Sequence, residues 1–518
     1  MSRPVRNVVI VGGGSAGWLT AGIIAAEHCG AKESGLRVTL IESPDVKTIG
    51  VGEGTWPSMR DTLRHMGVSE TEFVRACDAS FKQGSKFVGW VTGGDDDVYY
   101  HPFVLPQGYT EANLVARWQS RYPDVPFASL VSFQPHLCES GKAPKQAATP
   151  EFAAVANYAY HLDAGKFGEF LKKHCIDKLG VTHILDHVEG VVPAENGDIS
   201  ALRTSAHGEL EGDLFIDCTG FAALLIGKHY GIPFVSRKEI LFNDSALAIQ
   251  VPYEEDDSPI ASQTTATAQT AGWIWDIGLP TRRGIGHVYS SSHTTDEAAE
   301  SELRSYVAAT SGTLDSDVRP RKITFNPGHR ETFWYRNCVA VGISAGFIEP
   351  LEASALALIE FSAAMIRDEM PANRDVMDIV AGRFNETFRY RWDRIMDFLK
   401  LHYVLSQRTD SDYWKDNRRP DSIPERLAEL LQLWKYQPPS RRDVNQIEEI
   451  FPSASYQYVL YGMGFRPEDS GTSRRSADAA VADRLFSESA GLAGKMLAGL
   501  PTTRELINHI KQQGLPRA

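Results

Sequence analysis

The strongest constraint on the fold is a glycine-rich turn near the start of the sequence. A short β-branched run, 6–11, leads into this turn, and residues 18–27 have helical composition. In a G-x-G-x-x-G turn the first glycine makes the bend, the second lets a pyrophosphate approach the backbone, and the third lets the helix pack on the strand. The pattern predicts a dinucleotide-binding turn that consists of Gly12, Gly14, Ser15, Ala16 and Gly17.

The identity of the dinucleotide depends on later segments. A second strand, 36–41, ends in Glu42, whose carboxylate can accept hydrogen bonds from a ribose. This unit alone is compatible with NAD or FAD. The runs 214–220 and 338–342 also end in glycine, and a cofactor contacted by three strand ends is long and buried, which favours FAD. We therefore predict an α/β fold with an FAD-binding, Rossmann-like core of the glutathione-reductase type, and place Gly342 beside the cofactor.

Composition excludes several classes of protein. With 518 residues, 42% hydrophobic and 23% charged, the chain has the profile of a soluble globular protein. No segment approaches the ~20 apolar residues of a membrane span, and no signal-peptide pattern is present, so we expect a cytoplasmic protein without a membrane partner. A formal charge of −13 without a long basic run argues against nucleic acid. Six cysteines without a C-x-x-C pair predict no metal site.

Hydrophobic periodicity suggests a division of the chain. We predict an FAD-binding module over 1–370, interrupted by substrate-side segments at about 90–150 and about 225–320. Alternation in 241–289 indicates an inserted antiparallel sheet. The region 371–518 is predicted to be helical and to face the substrate, because apolar residues recur there at spacings of three and four. These residues are Phe384, Phe388, Trp392, Ile395 and Leu399.

Two carboxylates follow the 338–342 run. Glu349 and Glu352 are costly to bury without a purpose, so we expect at least one to face a ligand or a reacting group. The simpler interpretation is an acidic helix N-terminus. Lys82 lies in a short aromatic strand, although most lysines in such runs are solvated.

An aromatic segment supplies a candidate surface for a substrate. His101 and Phe103 are two residues apart on a predicted strand, so their side chains face the same side and could stack on a planar molecule. The simpler interpretation is a core cluster.

Together these motifs resemble the flavin-dependent halogenases of the tryptophan-halogenase family over nearly the whole chain. The family's dinucleotide motif matches the glycine turn, and its active-site lysine matches Lys82. Its Pro-Leu-Glu segment matches 350–352, which places the catalytic glutamate on Glu352 rather than Glu349. Its W-x-W-x-I-P signature is nearly present at 273–278, with Gly278 in place of proline.

The resemblance also implies binding residues. The family's strap loop is similar to 50–57, and the family's usual Glu-Ser-Thr-Gly is Glu-Ala-Ser-Ala at 352–355. We expect the halide site to survive this change with altered affinity, although the lost glycine should alter the turn. The cofactor residues implied are Gly50, Val51, Gly52, Glu53 and Ile348, the halide residues are Ser354 and Ala355, and the residues that stack on the substrate ring are His101 and Phe103.

The implied reaction is halogenation of a small aromatic substrate such as indole. FADH2 from a separate NAD(P)H-dependent flavin reductase, together with O2 and chloride or bromide, yields hypohalous acid, which Lys82 receives while Glu352 removes the ring proton. The alternatives are a flavin-dependent aromatic monooxygenase and a non-catalytic flavin-binding protein, neither of which needs Lys82 paired with Glu352. Whether the protein forms a homodimer is left open by the sequence. The segment 455–465 lacks the adjacent tyrosines and following glutamate that hold free tryptophan in the family, so we expect uncharged indoles to be preferred.

Overall fold

A computed structural model describes residues 4–29, 35–46, 52–94, 96–311, 318–444, 446, 449–468 and 479–517. The predicted cofactor residues Gly50 and Val51 lie outside these ranges. Among the described residues, no helix is long and apolar enough to cross a membrane. In the same ranges, no group of three or more His, Cys, Asp or Glu side chains is arranged to hold a metal ion.

The chain forms two compact units, each made of three segments. The first unit comprises Met1–Ala79, Leu162–Arg237 and Phe325–Trp392, and it contains the glycine turn and Glu352. The second unit comprises Ser80–His161, Lys238–Thr324 and Asp393–Ala518, and it contains Lys82, His101 and Phe103. The functional division predicted at residue 370 stays a prediction.

The first unit is organised around a six-stranded sheet. Its strands, in spatial order, are Trp334–Tyr335, Cys338–Ala340, Leu214–Asp217, Asn7–Val11, Arg37–Glu42 and Thr182–Leu185. All neighbours are parallel except the first pair. Ile10 lies between Ile216 and Leu40 in register and is fully buried, as expected for a parallel sheet covered on both faces. This arrangement confirms the predicted Rossmann-like core.

Helices and smaller sheets complete the first unit. Helix Ser15–His28 packs against helices Ala164–Leu179 and Ser354–Asp368. The remaining α-helices are Ser58–His65 and Glu70–Ala76, and a π-helix spans Leu224–His229. Two three-stranded sheets consist of Val188–Pro193, Ile199–Thr204 and Glu209–Glu211, and of Phe234–Ser236, Gly328–Arg330 and Gly346–Phe347. A short strand also spans Gly52–Gly54.

The second unit contains a seven-stranded sheet. In spatial order its strands are Arg321–Thr324, Ser245–Pro252, Arg282–Tyr289, Gly272–Gly278, Thr264–Gln269, Gly84–Val88 and Val98–Pro102. Every pair is antiparallel except the parallel pairing of Thr264–Gln269 with Gly84–Val88. Helix Asp296–Ser311 covers the sheet through Ala299, Leu303 and Val307. The predicted inserted antiparallel sheet is thereby confirmed.

Helices dominate the C-terminal region, as predicted. The longest, Arg374–Val404, belongs to the first unit up to Trp392 and to the second unit beyond it. Its five predicted apolar positions are all buried. The following α-helices are Asp412–Asp416, Glu425–Trp434, Ser453–Gly462, Ala479–Gly499 and Thr503–Gln513. Earlier in the second unit, helices span Leu114–Arg121, Phe127–Val131 and Gln134–Glu139.

Candidate functional site

The glycine turn has the geometry that dinucleotide binding requires. Gly12 has a φ of +113°, and a Cβ there would lie 2.3 Å from the carbonyl oxygen of Cys218. A Cβ at Gly17 would lie 1.8 Å from the carbonyl oxygen of Gly12. Both positions therefore exclude any larger residue. By contrast, a Cβ at Gly14 would meet no atom within 4 Å, so the backbone there is open to a ligand.

The helix that starts at Ser15 presents its N-terminus at this opening. Gly14 is its N-cap, with no side-chain capping hydrogen bond and no acidic residue in the first turn. The first amides of such a helix favour an anion through hydrogen bonds and the helix dipole. The turn thus fits the pyrophosphate of FAD, and it brings Gly12, Gly14, Ser15, Ala16 and Gly17 together.

Glu42 lies at the end of its strand beside the glycine turn. Its Oε1 accepts hydrogen bonds from Lys172 Nζ at 2.6 Å and from His183 Nε2 at 2.8 Å. Its Oε2 lies against the turn, 1.6 Å from where a Cβ of Gly13 would be. Two basic partners therefore hold one oxygen, and the other oxygen lies against Gly13 of the glycine turn.

Strand ends from distant parts of the sequence meet at this edge of the sheet. Leu214–Asp217 and Cys338–Ala340 are parallel to Asn7–Val11, so their carboxyl ends point the same way. Gly342, with a φ of +74°, lies against helix Ser15–His28, because a Cβ there would be 2.9 Å from the Cβ of Ala16. The predicted convergence of three glycine-bearing strand ends is present in the first unit.

The described part of the strap, from Gly52 onward, is tied to the turn that carries Glu352. Trp56 Nε1 donates a hydrogen bond of 2.7 Å to the carbonyl oxygen of Glu352. Burial raises the pKa of Glu53 to about 7. Strap and acidic residue are therefore neighbours in the first unit, although they are separated by almost 300 positions in the sequence.

The turn around Glu352, which we call the acidic turn (Leu351–Ala353), has an unusual backbone. Glu352 has φ +64° and ψ +8°, and Ala353 has φ +55° and ψ +44°, so two consecutive non-glycine residues are left-handed. Each such residue costs about 1–3 kcal/mol and persists only where the surroundings enforce it, commonly at functional sites. Glu352 and Glu349 are both buried, with 6% and 1% exposure.

Helix Ser354–Asp368 begins immediately after the acidic turn. Its N-cap, Ala353, makes no side-chain capping hydrogen bond, and its first turn has no acidic residue. Its first amides are therefore suited to an anion. Ala355 is helical, so the backbone places no demand for glycine there; the left-handed positions are 352 and 353 instead.

A cavity of about 40 Å³ brings several predicted residues together in the first unit. Predicted cofactor and halide residues line it, and the rest of its wall is mainly apolar. The predicted residues are Gly342, Ile348, Ser354 and Ala355. The apolar wall includes Leu358, Ile359, Phe384, Phe388 and Trp392.

Lys82 is buried in the second unit, with 1% exposure. It ends the strand Ser80–Lys82, which we call the lysine strand, and lies opposite Ala159 in an antiparallel pair. Its Nζ lies 5.5 Å from the centroid of the Phe103 ring. A buried amine beside an aromatic ring differs from the solvated lysine that composition favours. Lys82 and Phe103 are thus brought together.

His101 is packed between helices of the second unit. It is 5% exposed, and its Nε2 lies 2.8 Å from Ser455 Oγ. Its ring centroid lies 5.5 Å from that of Phe398 and 6.3 Å from that of Tyr458. These contacts are those of a core residue, and its predicted contact with a substrate stays a prediction.

His161 and Glu360 are among the buried titratable residues that the sequence analysis did not single out. His161 lies next to the lysine strand, opposite Ser80, and is fully buried. Glu360, 2% exposed, accepts hydrogen bonds from Thr62 Oγ1 at 2.7 Å and from Ser58 Oγ at 3.3 Å. Neither has a motif; the only available signal was a polar residue within an apolar run.

Comparison with known proteins gives matches over the full chain. A family model described as tryptophan halogenase matches residues 7–479. The chain is 34% identical to tryptophan 6-halogenase SttH from Streptomyces toxytricini, over 99% of both chains.

Solved structures match equally completely. The crystal structure of a tryptophan halogenase from Shewanella frigidimarina NCIMB 400 has 50% identity and a TM-score of 0.96, covering 100% of this chain and 99% of that chain. BrvH, a flavin-dependent halogenase from Brevundimonas sp. BAL3, has 32% identity and a TM-score of 0.85, with coverage of 98% and 99%.

Proposed function

Because the chain belongs to the tryptophan-halogenase family, we propose that it is a flavin-dependent halogenase that installs chlorine or bromine on an electron-rich aromatic ring, with indole-type substrates preferred. The observation that carries this proposal is the burial of Lys82, to 1% exposure; the resemblance assigns the role of the family's active-site lysine to this residue. Lysine is rarely buried this deeply, because taking its amine out of water costs free energy.

The first unit would hold the cofactor and the halide. The open backbone at Gly14, Glu42, the strap and Gly342 would bind FAD, and the first amides of helix Ser354–Asp368 would bind halide. A separate flavin reductase would deliver FADH2. When bound, this cofactor would supply, together with O2 and halide, the hypohalous acid on which the protein acts.

Two side chains carry the proposed chemistry. Lys82 receives hypohalous acid and donates a hydrogen bond to its oxygen, which makes the halogen more electrophilic. Attack by the ring creates a cation, and Glu352 stabilises this cation and then takes its proton. Burial supports both roles, because electrostatic interactions are stronger away from water.

Mass spectrometry tests the proposed class of reaction. Indole is incubated with the protein, a flavin reductase, FAD, NADH, O2 and bromide. A product with the isotope doublet of bromine is expected. A product that has gained only oxygen would identify a monooxygenase instead, and unchanged indole would indicate a protein without either activity.

The proposed substrate preference rests on helix Ser453–Gly462. The helix has no charged residue, and its tyrosines pack internally: Tyr458 donates to the carbonyl oxygen of Val104 at 3.0 Å, and the Tyr461 ring lies 4.9 Å from that of Phe127. A zwitterion brought into a pocket without matching partners loses several kcal/mol of solvation, about as much as any buried unpaired charge. Indole carries neither charge.

We therefore expect indole to be halogenated faster than free tryptophan, at the most nucleophilic carbon of its ring, because a loosely held substrate reacts where its own electronics direct. Equal concentrations of both compounds compete in one reaction, and the products are separated by chromatography. Predominant halotryptophan, or halogenation of indole mainly on the benzene ring, would contradict this preference.

A further inference from the structure

A buried histidine lies beside Lys82 and has no role in the mechanism above. His161 is opposite Ser80 of the lysine strand, and Lys82 is opposite Ala159. Paired residues of an antiparallel ladder share a face, and so do residues two apart on one strand. His161 and Lys82 are therefore diagonal neighbours on the same face of the pair.

The His161 ring is only partly satisfied by protein groups. It has 0% exposure, and its Nε2 lies 2.8 Å from Thr264 Oγ1. Its Nδ1 is buried and has no hydrogen-bond partner among the residues that the structure describes. A buried polar atom normally has a partner, because leaving one without costs about 1–3 kcal/mol. Nδ1 therefore has a hydrogen-bonding capacity that the described residues leave unused.

Electrostatics determine what kind of group Nδ1 can bind. Burial, and then the charge of Lys82, holds the pKa of His161 well below its usual range, so the ring is neutral at pH 7. A neutral imidazole has one N–H and one lone pair. If Nε2 donates to Thr264, then Nδ1 carries the lone pair and accepts a hydrogen bond.

We propose that His161 and Lys82 together bind hypohalous acid at two points: His161 Nδ1 accepts from its O–H group, and the Lys82 ammonium donates to its oxygen. This inference rests on the proposed function. Hypohalous acid has one donor and one acceptor on the same oxygen, which matches an acceptor beside a donor. The halogen is then left free to face the ring.

The halogen-transfer step balances without a nitrogen–halogen bond. The carbon–halogen bond forms as the halogen–oxygen bond breaks, and the electron pair of the broken bond stays on oxygen. The ring carbon is oxidised and the halogen is reduced. The oxygen takes a proton from Lys82 and leaves as water, while the ring proton goes to Glu352. His161 orients the oxidant and exchanges no proton.

Replacement of His161 tests the acceptor separately from the packing. His161→Phe fills the space without an acceptor, whereas His161→Asn retains one near the position of Nδ1. His161→Phe should oxidise flavin at the wild-type rate but give roughly tenfold less halogenated product per flavin oxidised. This is the effect expected for one lost hydrogen bond of about 1.4 kcal/mol. A halogen scavenger in solution should trap correspondingly more hypohalous acid. His161→Asn should retain most of the wild-type yield of product per flavin oxidised.

His287 provides a matched control in the same unit. It is also fully buried, its pKa is also lowered by burial, and its Nδ1 lies 3.0 Å from the carbonyl oxygen of Ala299. His287→Phe should lower stability without releasing oxidant. If His161→Phe does not fold, His161→Gln replaces it in the experiment. The glutamine amide reaches the position of Nε2 rather than Nδ1, so this variant should also release hypohalous acid into solution.

A crystal structure gives a readout that does not depend on turnover. Water, which also has an O–H donor, should be ordered at His161 Nδ1 in the wild type and lost in His161→Phe. The inference would be overturned if His161→Phe formed as much product per flavin oxidised as the wild type. It would also be overturned if the Phe and Asn variants released equal amounts of hypohalous acid, or if no water were ordered at Nδ1. A wild type that makes no halogenated product would instead overturn the proposed function, while the ordered water would still test the acceptor site.

Discussion

Backbone strain distinguishes Glu352 from Glu349, the other buried carboxylate of the same segment. Glu352 and Ala353 hold left-handed backbone conformations, and Trp56 fixes the carbonyl oxygen of Glu352. Glu349 is equally buried, but its φ is not positive. Strain that persists in a folded protein commonly aims a functional group. The backbone thus supports the choice of Glu352 that the family resemblance implies.

Replacement of Glu352 by glutamine tests this choice. The amide keeps the shape of the side chain but cannot take a proton, so kcat should fall by roughly 10²–10⁴-fold, the usual contribution of a general base. Steady-state halogenation with added flavin reductase measures the effect. Glu349→Gln is the comparison and should retain most activity; the opposite order would assign the base to Glu349.

Lys82 is buried, whereas a neighbouring lysine of the same unit is partly exposed. Lys86, four residues later, is exposed enough to form an ion pair of 3.0 Å with Glu139 on the surface of the second unit. Lys82→Ala should abolish halogenation and leave FAD affinity unchanged, because the amine acts on the oxidant and not on the cofactor. Lys86→Ala should be active. Halogenation at the wild-type rate by Lys82→Ala would refute the assignment, and flavin fluorescence titration checks the cofactor.

At the scale of elements, a buried carboxyl joins two helices of the first unit. Glu360 of helix Ser354–Asp368 accepts from Ser58 and Thr62 of helix Ser58–His65. Burial raises the pKa of Glu360 to about 8, so the carboxyl is largely protonated at neutral pH. Loss of this proton would leave a buried charge in the helix that begins at the acidic turn, and this desolvation cost outweighs the stronger hydrogen bonds that an ionised carboxylate accepts from Ser58 and Thr62.

The raised pKa of Glu360 predicts a dependence of stability on pH. An unfolded glutamate titrates near 4.3, so between about pH 5 and about 8 the folded state keeps a proton that the unfolded state has released. The free energy of unfolding contributed by Glu360 falls with rising pH across this window, by at most about 1.4 kcal/mol per pH unit. Glu360→Gln should remove this contribution, so urea titrations at several pH values should show the variant gaining stability relative to wild type as pH rises. If the free energy of unfolding depended on pH equally in the variant and the wild type, the raised pKa of Glu360 would be contradicted.

At the scale of the whole molecule, the chain has one glycine fingerprint for a dinucleotide, at Gly12–Gly17, and we assign it to FAD. A second such motif for NAD(P)H is not found in the sequence. We therefore expect the purified protein to oxidise NADH slowly and to form product only with a separate flavin reductase. Absorbance at the NADH band, followed with and without reductase, measures this. Rapid NADH oxidation coupled to product in the absence of reductase would show that the protein reduces its own flavin.

The sequence by itself determined the features that depend on local rules. The turn at Gly12–Gly17 requires glycine because backbone atoms approach closely there, and the long helix Arg374–Val404 follows from apolar spacing. The Rossmann-like core and the inserted sheet were predictable for the same reason, since each strand carries its own β-branched or alternating pattern.

Only the tertiary structure decided the environment of individual polar residues. Composition favoured a solvated Lys82, but strand pairing and the packing of Phe103 bury it. The register of the lysine strand against Ala159–Asp163 puts His161 on the face of Lys82, and a shift by one residue would have put it on the other face. Burial and pKa arise from contacts between distant segments, and a sequence pattern specifies which residues are apolar but not which polar residues those contacts will enclose.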